Sequence, residues 1–146
     1  MIREVCEKDL LPLLELYMYL HEDNIPAENE HLRSAWQTIL RDENHHIILN
    51  EIDGKIVSSC VCVIIPNLTR NVRPYALIEN VVTHKEFRNK GYATECLMYA
   101  KKIAESNNCY KMMLLSGAKD SATLDFYRQI GFNSEDKTAF IQWLKH

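Results

Sequence analysis

Three apolar runs crowd the middle of this chain, and the first two are joined by a two-residue turn. Residues 46–52 and 55–65, rich in Val, Ile and Cys, flank Asp53-Gly54. That dipeptide favours the left-handed conformations of a tight hairpin, so the two runs read as antiparallel strands. Residues 75–83 read as a third strand. Between the second and third runs lies a polar loop, residues 66–74, carrying Arg70 and Arg73.

Helical spacing surrounds this block. Residues 2–6 read as a short strand, and Asp9 as a helix N-cap. Leu10, Leu13, Leu14, Leu16, Tyr17 and Leu20 then follow at helical intervals, up to a break at residues 24–26. A second helix is predicted around Leu32, Ala35, Trp36, Ile39 and Leu40. Further on, Ala93, Cys96, Leu97, Ala100, Ile103 and Ala104 share a helix face. Residues 110–115 read as a strand, 121–130 as a helix ended by Gly131, and 140–144 as a last strand. The order is β-α-α-β-β-β-α-β-α-β. It predicts an α/β (α+β) fold, one mixed sheet with helices on both faces.

At 146 residues, with no repeat or low-complexity linker, residues 1–146 are expected to form a single domain. A 47% hydrophobic share and 25% charge suit a soluble globular chain. The formal net charge of −3 argues against a nucleic-acid partner. No apolar run approaches the ~20 residues of a membrane span. The start of the sequence has no apolar signal core, and its cysteines are odd in number, five in all. Reduced thiols and a cytoplasmic location are therefore expected. Cys60 and Cys62 stand too close together for a zinc pair, and no metal is expected.

The segment Arg88-Asn89-Lys90-Gly91-Tyr92-Ala93-Thr94 joins the third run to a helix. The first amides of a helix have no partner within it, and the helix dipole adds positive potential there. Gly91 lets the backbone turn and approach a ligand, Arg88 and Lys90 add charge, and Thr94 adds a hydroxyl. These parts suit a diphosphate. Both the Walker pattern GxxxxGK(S/T) and the dinucleotide pattern GxGxxG are absent.

Arg88-x-x-Gly91-x-Ala93 after an apolar strand resembles the Arg/Gln-x-x-Gly-x-Gly/Ala signature of the GNAT superfamily of N-acetyltransferases. Residues 79–87 resemble that family's central strand and its approach to the loop. Phe126-Tyr127-Arg128-Gln129-Ile130-Gly131-Phe132 resembles its late FY…GF element. The resemblance implies acetyl-CoA as co-substrate. It implies that the central strand splays from its neighbour, so that the pantetheine arm bonds the backbone of Val81, Val82 and Thr83. It places the diphosphate on the amides of residues 88–94. Four positions depart from the common pattern: Thr83 for valine, Lys85 for proline, Ala93 for the second glycine, and Asp120 for an asparagine that touches the cofactor. Asp120 also suits a helix cap. Residues 79–132, including Cys109-Tyr110-Lys111, look somewhat like glucosamine-6-phosphate N-acetyltransferases, which makes an amino-sugar phosphate one candidate acceptor.

Acetylating an amine requires removing its proton and protonating the departing thiolate. Glu79 is the candidate base. By strict alternation it shares a face with Leu77, Val81 and Thr83, opposite Ile78 and Val82. Burial in so apolar a strand would make it a stronger base. Tyr127 is the candidate acid, protonated at neutral pH with an ordinary pKa of about 10. By spacing alone Tyr127 is a core aromatic, and the family resemblance gives it the acid role.

The acceptor pocket is expected between the first two helices and the 66–74 loop, where Arg70 and Arg73 would grip a carboxylate or phosphate. The six histidines show no ligand spacing and are expected at the surface. Cys96 falls on an apolar helix face and reads as a structural thiol rather than an acyl carrier. The reading is a small-molecule N-acetyltransferase, with a homodimer through residues 140–144 as one option. A protein acetyltransferase and a non-catalytic acetyl-CoA-binding module are the alternatives.

Overall fold

The computed structural model describes residues 1–145 and divides into two compact units, Met1–Leu114 and the residues from Leu115 onward. The first unit holds β1 (Ile2–Glu4), α1 (Leu10–Tyr17), α2 (Glu30–Arg41), β2 (His45–Ile52) and β3 (Lys55–Ile65). A single turn, α3 (Thr69–Val72), then leads to β4 (Tyr75–Thr83), α4 (Tyr92–Ser106) and β5 (Met112–Leu114). The second unit holds α5 (Ser121–Ile130). The strands form one sheet in the order β1-β2-β3-β4-β5. Every pairing is antiparallel except that of β4 with β5, so the sheet is mixed as expected.

The hairpin turn is made as the sequence requires. Asp53 and Gly54 both take positive φ, 50° and 78°, and Ile52 pairs with Lys55 across them. Alternation along β2 and β3 then feeds two faces. Ile47, Leu49 and Val61 join Leu13, Leu16 and Trp36 in a buried cluster under α1 and α2. Leu13 and Leu16 are only 2% and 3% exposed, and burying each such side chain stabilises the fold by roughly 1.5–3 kcal/mol. Cys60, Cys62 and Ile64 are buried on the opposite face, where the Cys62 thiol lies 4.0 Å from the Ala100 carbonyl of α4. Helices therefore cover both faces. The side chain of Asn29 caps α2 by accepting the Leu32 N–H at 3.0 Å, and Trp36 Nε1–H donates to the Glu7 carbonyl at 3.2 Å.

Strand β4 departs from simple alternation. Val61 pairs with Glu79 and Ser59 with Val82, so Asn80 and Val81 together stand opposite Cys60. This is a β-bulge, and Asn80 takes the positive φ of 51° within it. Asparagine visits this region far more readily than the β-branched residues around it. The extra residue shifts the parity expected from the sequence. Val82 joins the cluster under α1 and α2, on the face of Val61 and Glu79. Thr83 turns to the α4 face, where its hydroxyl is 2.9 Å from Ser58 Oγ. Beyond Ile78, which pairs with Leu114, β4 pairs with β3 alone.

Two expectations need correction. Residues 140–144 form no strand, and Phe140 and Trp143 are each 89% exposed. An extended apolar run becomes a strand only where a neighbouring edge completes its backbone hydrogen bonds. The observed order thus ends at α5, with the short α3 added. Asp9 does precede α1, but its side chain makes no cap bond to that helix. Its carboxylate turns back instead, accepting the Cys6 N–H at 2.7 Å and pairing with the Arg3 guanidinium at 2.7 and 2.9 Å.

The Arg3 bonds hold the buried Asp9 carboxyl down to about 2 from 3.8. A carboxyl depressed by folding stabilises the fold fully above its unfolded pKa, and the gain is lost as pH falls through the folded value. The shift corresponds to about 2 kcal/mol, lost between about pH 4 and pH 2. Urea unfolding at steps across that window should show a shallower decline for Asp9→Asn than for the parent. Parallel declines would refute the assignment.

Candidate active site

A cavity of about 360 Å³ opens between α1, α2 and strands β2, β3 and β4. Its walls include Leu13, Leu14, Leu32, Trp36, Ile47 and Val63, and its polar lining is Tyr17, His45, Glu79 and Asn80. Residues of the two helices expected to shape a pocket line this cavity, but residues 66–74 are not among its lining. Arg73 braces the start of β5 instead, donating from Nε to the Asn108 carbonyl at 3.1 Å and from Nη2 to the Cys109 carbonyl at 3.0 Å. The guanidinium of Arg70 lies 5.4 Å from the centroid of the Tyr110 ring.

Glu79 reaches this cavity because Val61, its partner on β3, faces α1 and α2. Its residue is exposed rather than buried, so the burial expected of it is not found. Beside it in the lining stand Asn80 and the Tyr17 phenol, whose pKa burial pushes up to about 12. Tyr17 is therefore a neutral hydroxyl at any working pH. Burial also lowers the pKa of His45, against the opposing charge of Asp42.

The sequence reading missed Tyr17, His45 and Asn80 as site residues. The signal for Asn80 was present: a short amide in the middle of a β-branched strand. His45 sits in the cavity lining rather than simply on the surface. His84 is also half-buried. It accepts the Glu86 N–H at Nδ1 (3.1 Å), which leaves its proton on Nε2, 3.1 Å from the Tyr19 hydroxyl.

At the far end of β4 the chain turns into α4. Asn89 and Gly91 both take positive φ, 62° and 85°, and Gly91 is the N-cap with no side-chain bond. The amides that open α4 therefore have no capping side chain over them. Arg88 folds back and donates from Nε to the Thr83 carbonyl at 3.2 Å. The Lys90 ammonium lies 5.4 Å from the centroid of the Phe87 ring. Around Gly91 the space is open: a Cβ built there meets nothing within 4 Å. Tyr92, Ala93 and Thr94 form the first turn of α4. On the buried face of that helix, desolvation pushes the Cys96 thiol up to about 12. A thiol so resistant to ionising is a poor nucleophile, which agrees with a structural role.

In the second unit, Asp120 is the N-cap of α5, its side chain accepting the Thr123 N–H at 3.0 Å. That bond holds its pKa below the usual carboxylate range. Tyr127 packs on α5 between Phe126 and Phe132, with ring centroids 5.0 and 6.0 Å away.

A family model described as the acetyltransferase (GNAT) family matches residues 11–132. A solved chain from Agrobacterium tumefaciens str. C58, assigned as an acetyltransferase, is 36% identical with a TM-score of 0.90, covering 98% of this chain and 99% of that one. An acetyltransferase of Trypanosoma brucei is 27% identical with a TM-score of 0.82, over 98% and 99% of the two chains. A glucosamine 6-phosphate N-acetyltransferase of Trypanosoma brucei brucei is 32% identical over 91 residues, 62% of this chain and 60% of that protein's length. With the family model spanning most of its length and a relative this similar end to end, the chain belongs to the GNAT acetyltransferase family.

Proposed function

We propose that this protein, as one domain over residues 1–146, transfers the acetyl group of acetyl-CoA to the primary amine of a small molecule by direct attack on the thioester. The observation that carries the proposal is the behaviour of β4. At Asn80 the strand bulges. Glu79 lines a cavity just before that point, and after Ile78 the strand has no β5 partner. One strand thus offers a carboxylate to an acceptor and open backbone positions to a second ligand.

The residues fit acetyl-CoA. In this reading the backbone of Val81, Val82 and Thr83 bonds the pantetheine arm. The amides of Arg88, Asn89, Lys90, Gly91, Tyr92, Ala93 and Thr94 receive the diphosphate, as the open left-handed turn and uncapped helix start support. Asp120 fixes the start of α5, and any cofactor contact is made from that capped position. Acetyl-CoA supplies the activated acyl group. Glu79 takes the proton from the ammonium, directly or through water, and Tyr127 returns a proton to the leaving sulfur.

A walled cavity suits a small acceptor better than a protein tail, which needs an open groove. Among the described residues no helix is long and apolar enough to cross a membrane. The chain is read as cytoplasmic, on its free thiols. The exposed Phe140, Ile141, Trp143 and Leu144 offer an apolar surface for a homodimer.

A panel of primary amines with acetyl-CoA, read by thiol release, tests the reading. Turnover of at least one small amine is the expected result. Silence across the panel with intact CoA binding would favour a non-catalytic binding module.

A further inference from the structure

The lining of the cavity restricts which amines it can accept. The ionisable groups in the lining are Glu79, His45 and the Tyr17 phenol, and no Arg or Lys is present. Burial favours the uncharged forms of His45 and of the Tyr17 phenol. The remaining walls are leucine, isoleucine, valine, alanine and tryptophan side chains. A phosphate placed there would lose its water with no cationic partner in return, and a ring of hydroxyls would find few partners beyond Glu79 and Asn80, which is costly. An alkyl or aryl body would gain by burial. A volume of about 360 Å³ falls within the ~300–1,000 Å³ typical of small-molecule sites.

Resting on the acetyl-transfer reading above, we infer that the acceptor is a hydrophobic primary amine, alkyl or arylalkyl, whose apolar body fills the cavity while its ammonium pairs with Glu79. This departs from an amino-sugar phosphate acceptor, because the cationic side chains a phosphate needs are missing from the lining. Arg70 and Arg73, the nearest candidates from sequence, are directed to Tyr110 and to the Asn108 and Cys109 carbonyls.

The test is steady-state thiol release from saturating acetyl-CoA with the full chain. The acceptors are a series from ethylamine to hexylamine, 2-phenylethylamine, glucosamine and glucosamine 6-phosphate. Burial of each added methylene should raise kcat/KM about fourfold until the cavity is full. Phenylethylamine should exceed glucosamine 6-phosphate by at least a hundredfold, the gap expected when a charged phosphate finds no partner.

A second arm uses Ala35, which is exposed and lines the cavity. Ala35→Trp should raise KM for phenylethylamine on the order of tenfold or more by occupying part of that volume, with the dissociation constant for CoA unchanged. A flat alkyl series, a preference for glucosamine 6-phosphate, or an unaltered KM in Ala35→Trp would overturn the inference while leaving acetyl transfer standing. Turnover of none of these amines would overturn the acetyl-transfer reading and this assignment together.

Discussion

Gly91→Val should weaken CoA binding by at least ~100-fold, measured by titration calorimetry. Two effects add. Gly91 holds φ at 85° as the N-cap of α4, a region in which a β-branched residue is strained by roughly 1–3 kcal/mol. The side chain would also project from the turn that the diphosphate must approach. A Cβ at this position meets nothing within 4 Å beyond its chain neighbours, so the cost to the free fold is the backbone strain. Relief of strain by a shift of the turn would carry the α4 amides out of place, which again lowers affinity. A melting temperature lowered by roughly 3–10 °C, as that strain implies, together with lost binding, is the expected pair of results. Parent-like affinity would remove the loop from the CoA site.

Tyr127→Phe should lower kcat by on the order of 100-fold or more, the range seen when a general acid is removed. The affinity for CoA should stay within about twofold, since the proposal gives the hydroxyl a role at the departing sulfur and none in binding. Phenylalanine keeps the aromatic packing against Phe126 and Phe132, so the comparison isolates the hydroxyl. A thioester with a more acidic leaving thiol should recover part of the loss, because such a thiolate needs less protonation. An unchanged kcat would end the assignment of Tyr127 as acid.

Much of the fold could be read from local chemistry. The Asp53-Gly54 turn fixed β2 and β3 against each other, since few other dipeptides accept two successive positive φ values. The start of α4 was equally visible, because Gly91 and its basic neighbours mark a strand-to-helix turn. What escaped was whatever depended on a partner elsewhere in the chain. Asp9 looked like a helix cap in isolation, but Arg3 offered it a stronger, charge-assisted bond. Residues 140–144 had strand composition but form no strand. The face of Val82 was misread because period-two counting assumes that no residue is inserted, and the bulge at Asn80 inserts one. The two helices that line the cavity were expected from sequence, but its β2 and β3 walls were not, because they come from distant segments that no motif marks.

The bulge divides labour along β4. Ahead of Asn80, contact with the proposed acceptor would depend on which side chains stand in the cavity. After it, the proposed grip on the acyl donor uses peptide groups that every residue possesses. Diversification of α1, α2, β2 and β3 can thus retune acceptor choice while the donor's seat is inherited unaltered, so the two halves of one strand are free to evolve at different speeds.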